Sequence, residues 1–268
     1  MSTINTIWHD TIAEIQLHRP EQSNALTFAM MAELIDAVEC LMPEPKLTAV
    51  ILSGGQARHF CAGLDFTEFT NGNGLAAFAD HADKTLDNYG ANLFQRTSTV
   101  WRDLPVPVIA ALHGAVIGGG LQIALGADIR LATPDSKLSI REAVWGLVPD
   151  MGITHSLPAL LSMDKAAELI LTARNIDATE AAALGLVTRL CDDSYAEALQ
   201  LAKTISQMSP ESIRANKRLY RSAWQASDSD LLALEASLQK SLIGTPNQIE
   251  SVMARLQKRE PNFKRADN

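Results

Sequence analysis

The chain has 268 residues, a formal net charge of −8 and a 47% share of hydrophobic residues. This length suffices for one large domain, or for one domain with an appendage, and the composition is that of an ordinary globular protein. The acidic balance argues against a general nucleic-acid binder, although local backbone dipoles still permit an anionic small ligand. No stretch reaches the roughly 18 apolar residues that a membrane span needs, so no membrane association is expected.

The three cysteines are Cys40, Cys61 and Cys191, which lie far apart and form no CxxC motif. A few scattered cysteines of odd number indicate a reducing compartment rather than a disulfide framework. The polar first ten residues contain no basic segment followed by an apolar core, so they do not resemble a secretory signal. We therefore expect a cytoplasmic protein in which Cys61 is a small buried side chain rather than a nucleophile.

Predicted strands alternate with predicted helices in the first half of the chain. Thr27 is placed to cap a helix, because apolar residues with helical spacing run from Met30 to Leu41. Residues 65–85 are predicted to be irregular, and Asn71-Gly72-Asn73-Gly74 is a loop signal. Further helices are predicted over residues 86–101 and from residue 121. Alternating or continuous apolar patterns predict strands over residues 12–17, 47–52, 106–112, 128–132 and 137–140.

After Pro149 the pattern is helical almost throughout. Ser209 and Pro210 suit the cap and the first position of a helix. The sequence predicts an α/β core followed by a helical appendage. The predicted helices cover residues 157–161, 165–171, 178–184, 195–208, 211–225, 228–242 and 247–258.

Two glycine-bearing segments each follow a predicted strand. They are Phe60-Cys61-Ala62-Gly63-Leu64-Asp65 and Ile117-Gly118-Gly119-Gly120-Leu121-Gln122. Glycine lets a backbone N–H approach a ligand without a side chain in the way. Two such N–H groups from separate loops could hold the negatively charged oxygen of a transition state. Either segment alone could equally be a tight turn made for packing, but the pair favours an oxyanion site.

Glu142 and Asp150 lie eight residues apart and are candidate proton carriers. Carboxylates are mostly solvated surface groups, so Glu142 could instead pair with Arg141, and Asp150 could cap the helix after Gly152. If the two carboxylates are catalytic, we expect their apolar neighbours to raise their pKa by desolvation. These neighbours are Val144, Trp145, Leu147 and Val148.

These segments, in this order, resemble the enoyl-CoA hydratase/isomerase (crotonase) superfamily, and the likeness covers nearly the whole chain. It implies an α/β fold with a crotonase-like ββα spiral catalytic core over residues 1–205 and a C-terminal helical region over residues 206–268. That region would build homotrimers or dimers of trimers and cover the active site. The resembling segments are Leu17-His18-Arg19-Pro20, Asn24-Ala25-Leu26, residues 60–65, residues 107–114, Gly118-Gly119-Gly120 and residues 258–263.

The resemblance also implies an acyl-CoA substrate, with no cofactor because coenzyme A is part of that substrate, and no metal. Carried over by motif, the thioester oxygen would bind the N–H groups of Ala62 and Gly119. Gly63, Leu64 and Asp65 belong to the expected substrate-binding segment, although Asp65 could equally cap a helix.

Lys258 matches a C-terminal lysine that reaches the CoA phosphates in relatives, and it is assigned to substrate binding. The alternative reading of Lys258 is a solvated surface lysine, which is the usual fate of lysine.

Gln122 is the most informative departure from the family pattern. Hydratases of the family hold a water between two glutamates, and this chain has Gln122 at the first position and Glu142 at the second. A glutamine cannot accept or release a proton at neutral pH, so the two-carboxylate hydratase site is broken. Glu142 and Asp150 resemble the carboxylate pair of dienoyl-CoA isomerases, which usually have an acid where Gln122 stands. Gln122 is assigned to substrate binding.

The sequence therefore predicts an isomerase that moves a double bond in an enoyl-CoA or dienoyl-CoA thioester. Two alternatives stay open: an enoyl-CoA hydratase of the same superfamily, and an acyl-CoA binding protein that has lost its chemistry. No P-loop, HExxH, GxSxG or dinucleotide-binding motif is present to favour another class of enzyme.

Overall fold

The computed structural model describes residues 2–70, 72–223 and 227–264. Its strands form a six-stranded sheet and a separate three-stranded sheet. The strands are β1 (Ile4–His9), β2 (Ile12–Leu17), β3 (Ala49–Ser53), β4 (Val108–Leu112), β5 (Ala115–Ile117), β6 (Ile129–Ala132), β7 (Lys137–Ser139), β8 (Ile176–Asp177) and β9 (Arg189–Leu190).

The larger sheet has the order β1-β2-β3-β4-β6-β9, in which only the β1–β2 pair is antiparallel. The smaller sheet has the order β5-β7-β8, with a parallel first pair and an antiparallel second pair. Parallel neighbours in the larger sheet bring the carboxyl ends of β3 and β4 side by side, where Ser53 pairs with Ala111. Crevices at the carboxyl ends of parallel strands are the usual ligand sites of α/β sheets.

Helices cover both faces of the larger sheet. They are α1 (Phe28–Glu39), α2 (Thr67–Thr70), α3 (Gly74–Asp83), α4 (Leu93–Thr99), α5 (Gly119–Gly126), α6 (Ile153–Ser156), α7 (Met163–Thr172), α8 (Ala178–Leu184), α9 (Ser194–Ser206), α10 (Pro210–Ser222), α11 (Asp228–Leu242) and α12 (Pro246–Leu256). Short 3-10 helices cover Pro20–Gln22, Val100–Arg102, Glu142–Trp145 and Leu157–Ala159.

The two faces of β3 explain this layering, because successive side chains of a strand point to opposite faces. Val50 and Leu52 belong to the main core, which also contains the buried faces of α1, α4 and α5. Ala49 and Ile51 belong to a smaller core that α9 covers with two alanines. A fully apolar strand is therefore buried on both sides, as its sequence predicts.

Several helix boundaries follow the predicted capping residues. The Thr27 side chain accepts a hydrogen bond from Met30 N, and the Ser209 side chain accepts one from Ser212 N. Pro210 is the first residue of α10, as predicted. The predicted helix over residues 211–225 has Gln225 as its last residue, which lies outside the described residues.

The prediction of an irregular segment over residues 65–85 is wrong. α3 occupies ten residues of it, and part of one helix face packs against the core through Ala77, Phe78 and Ala82. The glycines and asparagine at its start concealed this weakly apolar helix. Asn71 of the predicted loop signal lies outside the described residues.

The predicted helix over residues 86–101 is too long, because the helix begins only at Leu93, where Asn92 caps it. Four strands, β1, β5, β8 and β9, were not predicted. Three of them have two or three residues, which is too short for a recognisable alternation.

Within the described part of the chain, no helix is both long and apolar enough to span a bilayer. The division at residues 205 and 206 stays a prediction.

Helix α10 is held on the sheet domain by a buried lysine. Lys217 Nζ donates to Trp101 O at 3.1 Å and to Val106 O at 2.7 Å, and it lies 3.0 Å from Asp128 Oδ2. Burial lowers the pKa of the Lys217 ammonium to about 8, while the nearby Asp128 carboxylate opposes this shift. A buried ammonium is tolerated here because it has both a counter-ion and two carbonyl acceptors.

We expect Lys217→Met to lower the free energy of unfolding by about 3–5 kcal/mol, because it leaves Asp128 and two buried carbonyls without this partner. Urea denaturation followed by circular dichroism measures the change. Lys203→Met is the matched control, since Lys203 is exposed on α9. Equal stabilities of the two variants would show that Lys217 does not anchor α10.

Candidate active site

The two glycine-bearing segments lie side by side beyond the carboxyl ends of β3 and β4. Cys61 pairs with Val116 in an isolated parallel bridge. Cys61 N donates to Ala115 O at 3.1 Å, and Ile117 N donates to Cys61 O at 3.0 Å. The structure thus brings together two loops that are more than fifty residues apart in sequence.

Glycine is required at two positions where these loops touch. A Cβ on Gly120 would lie 2.6 Å from Cys61 Cβ and 2.8 Å from Cys61 O, so any side chain there would force the loops apart. Gly63 has a φ of +98°, and a Cβ on it would lie 3.0 Å from Ile117 O. The glycines therefore serve both the backbone conformation and the close approach of the two loops.

A buried asparagine fixes the first loop from behind. Asn24 Nδ2 lies within hydrogen-bonding distance of Gly54 O at 2.9 Å and of Phe60 O at 3.0 Å. Asn24 Oδ1 accepts a hydrogen bond from Arg19 N at 2.8 Å. In the sequence Asn24 stands out only as part of a motif, because the carbonyl groups that its Nδ2 contacts lie at least 30 residues further along the chain.

The assignment of the Ala62 N–H as an oxyanion donor is contradicted by the structure. This N–H donates to Ser23 O at 3.0 Å, so it is already occupied within the fold. The predicted donor at Gly119 fits better, because Gly119 is the first residue of α5 and its N–H has no intrahelical acceptor.

A free N–H lies two residues after Ala62, on Leu64. Leu64 pairs with Leu26 in a parallel bridge in which Leu26 N donates to Gly63 O and Asp65 N donates to Leu26 O. Since successive peptide groups of an extended chain point to opposite sides, the Leu64 N–H points away from Leu26. Among the described residues it has no hydrogen-bond acceptor. The sequence could not show that the Leu64 N–H is free, because this follows from the alternating directions of the peptide groups beside Leu26, and the pairing of Leu26 with Leu64 is not visible in the sequence.

Gln122 is buried and hydrogen-bonded at both ends of its side-chain amide. Its Oε1 accepts a hydrogen bond from Met151 N at 2.9 Å, and its Nε2 donates to Glu142 Oε1 at 2.7 Å. The amide orientation is thereby fixed, because a carboxylate can only accept the bond. Gln122 thus holds Glu142 in position in this structure, and its predicted contact with the substrate stays a prediction.

The Glu142 carboxylate lies against the second glycine loop. A Cβ on Gly118 would be 3.2 Å from Glu142 Oε1. Burial raises the pKa of Glu142 and the negative charge of Asp150 adds to this, while the hydrogen bond from Gln122 lowers it. Glu142 Oε2 is buried and has no hydrogen-bond partner among the described residues. An oxygen in this state can accept a proton from a bound molecule.

Asp150 lines a cavity of about 1140 Å³. Burial also raises the pKa of this carboxyl above its ordinary value. The structure therefore brings the two predicted proton carriers close enough for the charge of Asp150 to influence Glu142. Two neighbouring carboxyl groups with raised pKa values, of which Asp150 lines the cavity, are suited to proton transfer at neutral pH.

The predicted cause of these pKa shifts is wrong in one respect. Val144, Trp145, Leu147 and Val148 are exposed, with between 46% and 74% of their surface accessible. They therefore do not supply the desolvation. Trp145 instead packs against Phe66, with 4.2 Å between the ring centroids and 45° between the ring planes.

The carboxylate of Asp65 forms hydrogen bonds within the protein. Asp65 Oδ2 accepts a hydrogen bond from Arg19 Nη2 at 2.9 Å, and Asp65 Oδ1 accepts two from Thr67 at the start of α2. Both oxygens are thus engaged in holding the loop, which agrees with the capping alternative. Lys258 lies just after α12 and is exposed, and its contact with a substrate stays a prediction.

Cys61 has the properties of a packing residue. Its side chain is fully buried, its Sγ lies 3.0 Å from Asn24 O, and burial raises the pKa of the thiol to about 12. A thiol in this state is not a nucleophile at neutral pH.

We expect iodoacetamide at pH 8 to alkylate the exposed Cys40 in the native protein and to leave Cys61 unmodified. Peptide mass spectrometry measures both sites, and alkylation in urea is the control for reactivity of the unfolded chain. Rapid modification of Cys61 in the native state would overturn its structural assignment.

Comparison with known proteins identifies the family of the chain. The family model for enoyl-CoA hydratase/isomerase matches residues 8–266. The Mycobacterium bovis protein named "Probable enoyl-CoA hydratase echA8" is 35% identical over 255 residues, and the match covers 93% of each chain. The mitochondrial Delta(3,5)-Delta(2,4)-dienoyl-CoA isomerase of Mus musculus is 32% identical over 259 residues, which cover 93% of this chain and 77% of the relative.

Solved structures show the same architecture. The crystal structure of an enoyl-CoA hydratase from Bacillus anthracis superposes with a TM-score of 0.88 at 29% identity, covering 98% of this chain and 99% of that chain. The α/β crotonase fold is thus confirmed, and the chain belongs to the enoyl-CoA hydratase/isomerase family.

Proposed function

We propose that the protein moves a C=C double bond in an enoyl-CoA or dienoyl-CoA thioester through an enolate whose oxygen is held by two backbone N–H groups. The observation that carries this proposal is the hydrogen bonding of Gln122. The position that would supply a second carboxylate for water addition holds an amide with both ends engaged. The other titratable group of the proposed site is Asp150, whose charge acts on Glu142 and which lines the cavity described above.

The N–H groups of Leu64 and Gly119 are the proposed donors to the thioester oxygen. Removing a proton beside a thioester carbonyl builds negative charge on that oxygen, which two preorganised donors stabilise. The loss of one such donor typically costs roughly 3–4 kcal/mol of barrier. The two donors belong to the loops that the Cys61–Gly120 contact holds together.

Glu142 is the proposed base that removes the proton from the carbon next to the thioester carbonyl. Its position against the Gly118 turn places it beside the donor at Gly119. The electron pair of the broken C–H bond forms the enolate, and the double bond then shifts as a proton returns further along the acyl chain. Asp150 is the proposed donor of that second proton. No water is added, and no cofactor or metal enters the scheme.

A homotrimer or a dimer of trimers, with Lys258 reaching the CoA phosphates, completes the proposal. The oligomer and the Lys258 contact rest on the family likeness alone, whereas the proposed location in the cytoplasm rests on the three scattered cysteines.

We expect 3-enoyl-CoA or 3,5-dienoyl-CoA to be isomerised in deuterated water with deuterium incorporation and without the mass of an added water. Glu142→Gln lowers kcat by about a hundredfold or more, because the base is removed while its shape is kept. Asp150→Asn changes the position or the rate of deuterium incorporation. Mass spectrometry of the thioester products measures all three results.

Two outcomes would contradict the proposal. Addition of one water to a 2-enoyl-CoA, without isomerisation, would make the protein a hydratase despite Gln122. Binding of CoA thioesters without turnover across the substrate series would make it an acyl-CoA binding protein.

We expect Gln122→Met to move the acidic limb of the kcat/KM profile to higher pH. Glu142 must be ionised to act as a base, so activity falls as the pH drops through the pKa of Glu142. The Gln122 amide stabilises the ionised form and lowers this pKa, and its removal therefore raises the pKa. Asp150→Asn removes a neighbouring negative charge and shifts the same limb to lower pH.

Steady-state kinetics from pH 5 to 9 measure the position of the acidic limb for the wild-type protein and for both variants. Shifts in the same direction for the two variants would show that Glu142 is not the group that titrates.

A further inference from the structure

The cavity beside Asp150 continues to a wall that carries several cationic side chains. We define the distal wall of the cavity as Thr99, Arg102, Arg130 and Arg221, which line it together with Asp150. An acyl chain that passes Asp150 would therefore meet guanidinium groups among the apolar side chains of this cavity.

Most of the charges around this cavity are paired within the protein. Arg96, a further lining residue, forms ion pairs with Glu39, Asp87 and Asp103. Arg221 Nη2 lies 2.8 Å from Asp128 Oδ1. These pairs use the acidic side chains that line the cavity, apart from Asp150.

Arg102 is one of two arginines on the distal wall that form no ion pair among the described residues. Among the described residues it has no carboxylate within ion-pair distance, and its one hydrogen bond runs from Nη1 to His155 O at 2.9 Å. The pKa of Arg102 is lowered first by burial and then by the positive charge of Arg221, while the more distant carboxylates of Asp128 and Asp103 oppose this shift. A half-buried guanidinium beside another cation, with no counter-ion of its own, is an unfavourable arrangement unless an anion binds there.

Two neighbouring groups fit the same anion. Thr99 precedes Arg102 by one helical turn, and its buried Oγ1 has no hydrogen-bond partner among the described residues. Arg130 is 4% exposed and donates only to backbone carbonyls, those of Leu186 and Ala127. Among the described residues it too forms no ion pair. The distal wall thus has hydrogen-bond donors and positive charges that are not all matched by acceptors or carboxylates among the described residues.

Asp150 does not supply the missing counter-ion. Its pKa is raised by burial, which is opposite to the effect that pairing with an arginine would have.

We propose that the acyl group of the substrate ends in a carboxylate that Arg102 binds at the distal wall, so that the substrate is a dicarboxylic acid linked to CoA at one end. A guanidinium can hold a carboxylate through two parallel hydrogen bonds, and Thr99 Oγ1 adds a third donor. The distal carboxylate neutralises Arg102 and fixes how far the chain enters the cavity. This inference rests on the proposed function, because it assigns the cavity to the acyl chain of that reaction.

The test compares thioesters that differ only at the far end of the acyl chain. The turnover probes are 3-enoyl-CoA and 3-enedioyl-CoA thioesters with six, eight and ten acyl carbons. We expect kcat/KM for the carboxylate-ended thioester to exceed that of its methyl-ended counterpart by about tenfold to a hundredfold at one or more chain lengths. Arg102→Met abolishes this preference, because kcat/KM falls for the carboxylate-ended thioesters to the value for their methyl-ended counterparts.

Arg218→Met is the matched control, because Arg218 is exposed on α10. It leaves the preference intact. Arg102→Lys keeps the charge but loses the paired hydrogen bonds, and it is expected to give an intermediate preference should the methionine variant fail to fold.

Calorimetric binding of saturated thioesters separates this inference from the proposed reaction. Adipoyl-, suberoyl- and sebacoyl-CoA are compared with hexanoyl-, octanoyl- and decanoyl-CoA. Tighter binding of the carboxylate-ended series that depends on Arg102 supports the inference even if no double bond is moved. Isomerisation with equal or better use of the methyl-ended thioesters would overturn the inference and leave the proposed reaction standing. Equal binding of both series by the wild-type protein would likewise overturn it.

Discussion

The close contact between two glycine loops is the constraint on which the rest of the site depends. Cys61 and Gly120 touch so closely that no side chain fits on the glycine, and backbone hydrogen bonds join the loops on either side. The two parallel strands bring the loops to one edge of the sheet, but only this contact sets their separation. The free N–H groups of Leu64 and Gly119 belong to these loops, so the packing of a buried thiol determines where the two proposed oxyanion donors lie.

Gln122 connects the second glycine loop to Glu142 and to the segment that carries Asp150. Its amide reaches Glu142 with one end and the backbone next to Asp150 with the other. Three parts of the site therefore form one hydrogen-bonded unit. They are the loop with the proposed donor Gly119, the proposed base Glu142, and the segment at Asp150 that lines the cavity. A glutamate at this position would repel Glu142, whereas the amide stabilises its charge. Gln122, which departs from the family pattern, thus fixes the position of the Glu142 carboxylate in this chain.

The family, the order of the main elements and the residue types of the site could be predicted from sequence, because glycine, capping and apolar patterns are local signals. What failed depends on distant contacts. The Ala62 N–H is occupied because Ser23 folds against it, and Leu64 is free because Leu26 pairs beside it. The pKa shifts of Glu142 and Asp150 have the expected direction, yet the apolar side chains expected to cause them face solvent. Periodicity does not show which side chains will be covered.

The buried carboxylate of Asp128 serves two structures at once. It accepts the ammonium of Lys217, which docks α10, and it holds Arg221 at the cavity. The cavity wall is therefore complete only while α10 is docked. An equilibrium between docked and undocked helix is thermodynamically linked to occupancy of the cavity, because a ligand that contacts the wall binds the docked state alone. Ligand binding would then slow the hydrogen exchange of α10 amides, including amides on the side of the helix that no ligand contacts.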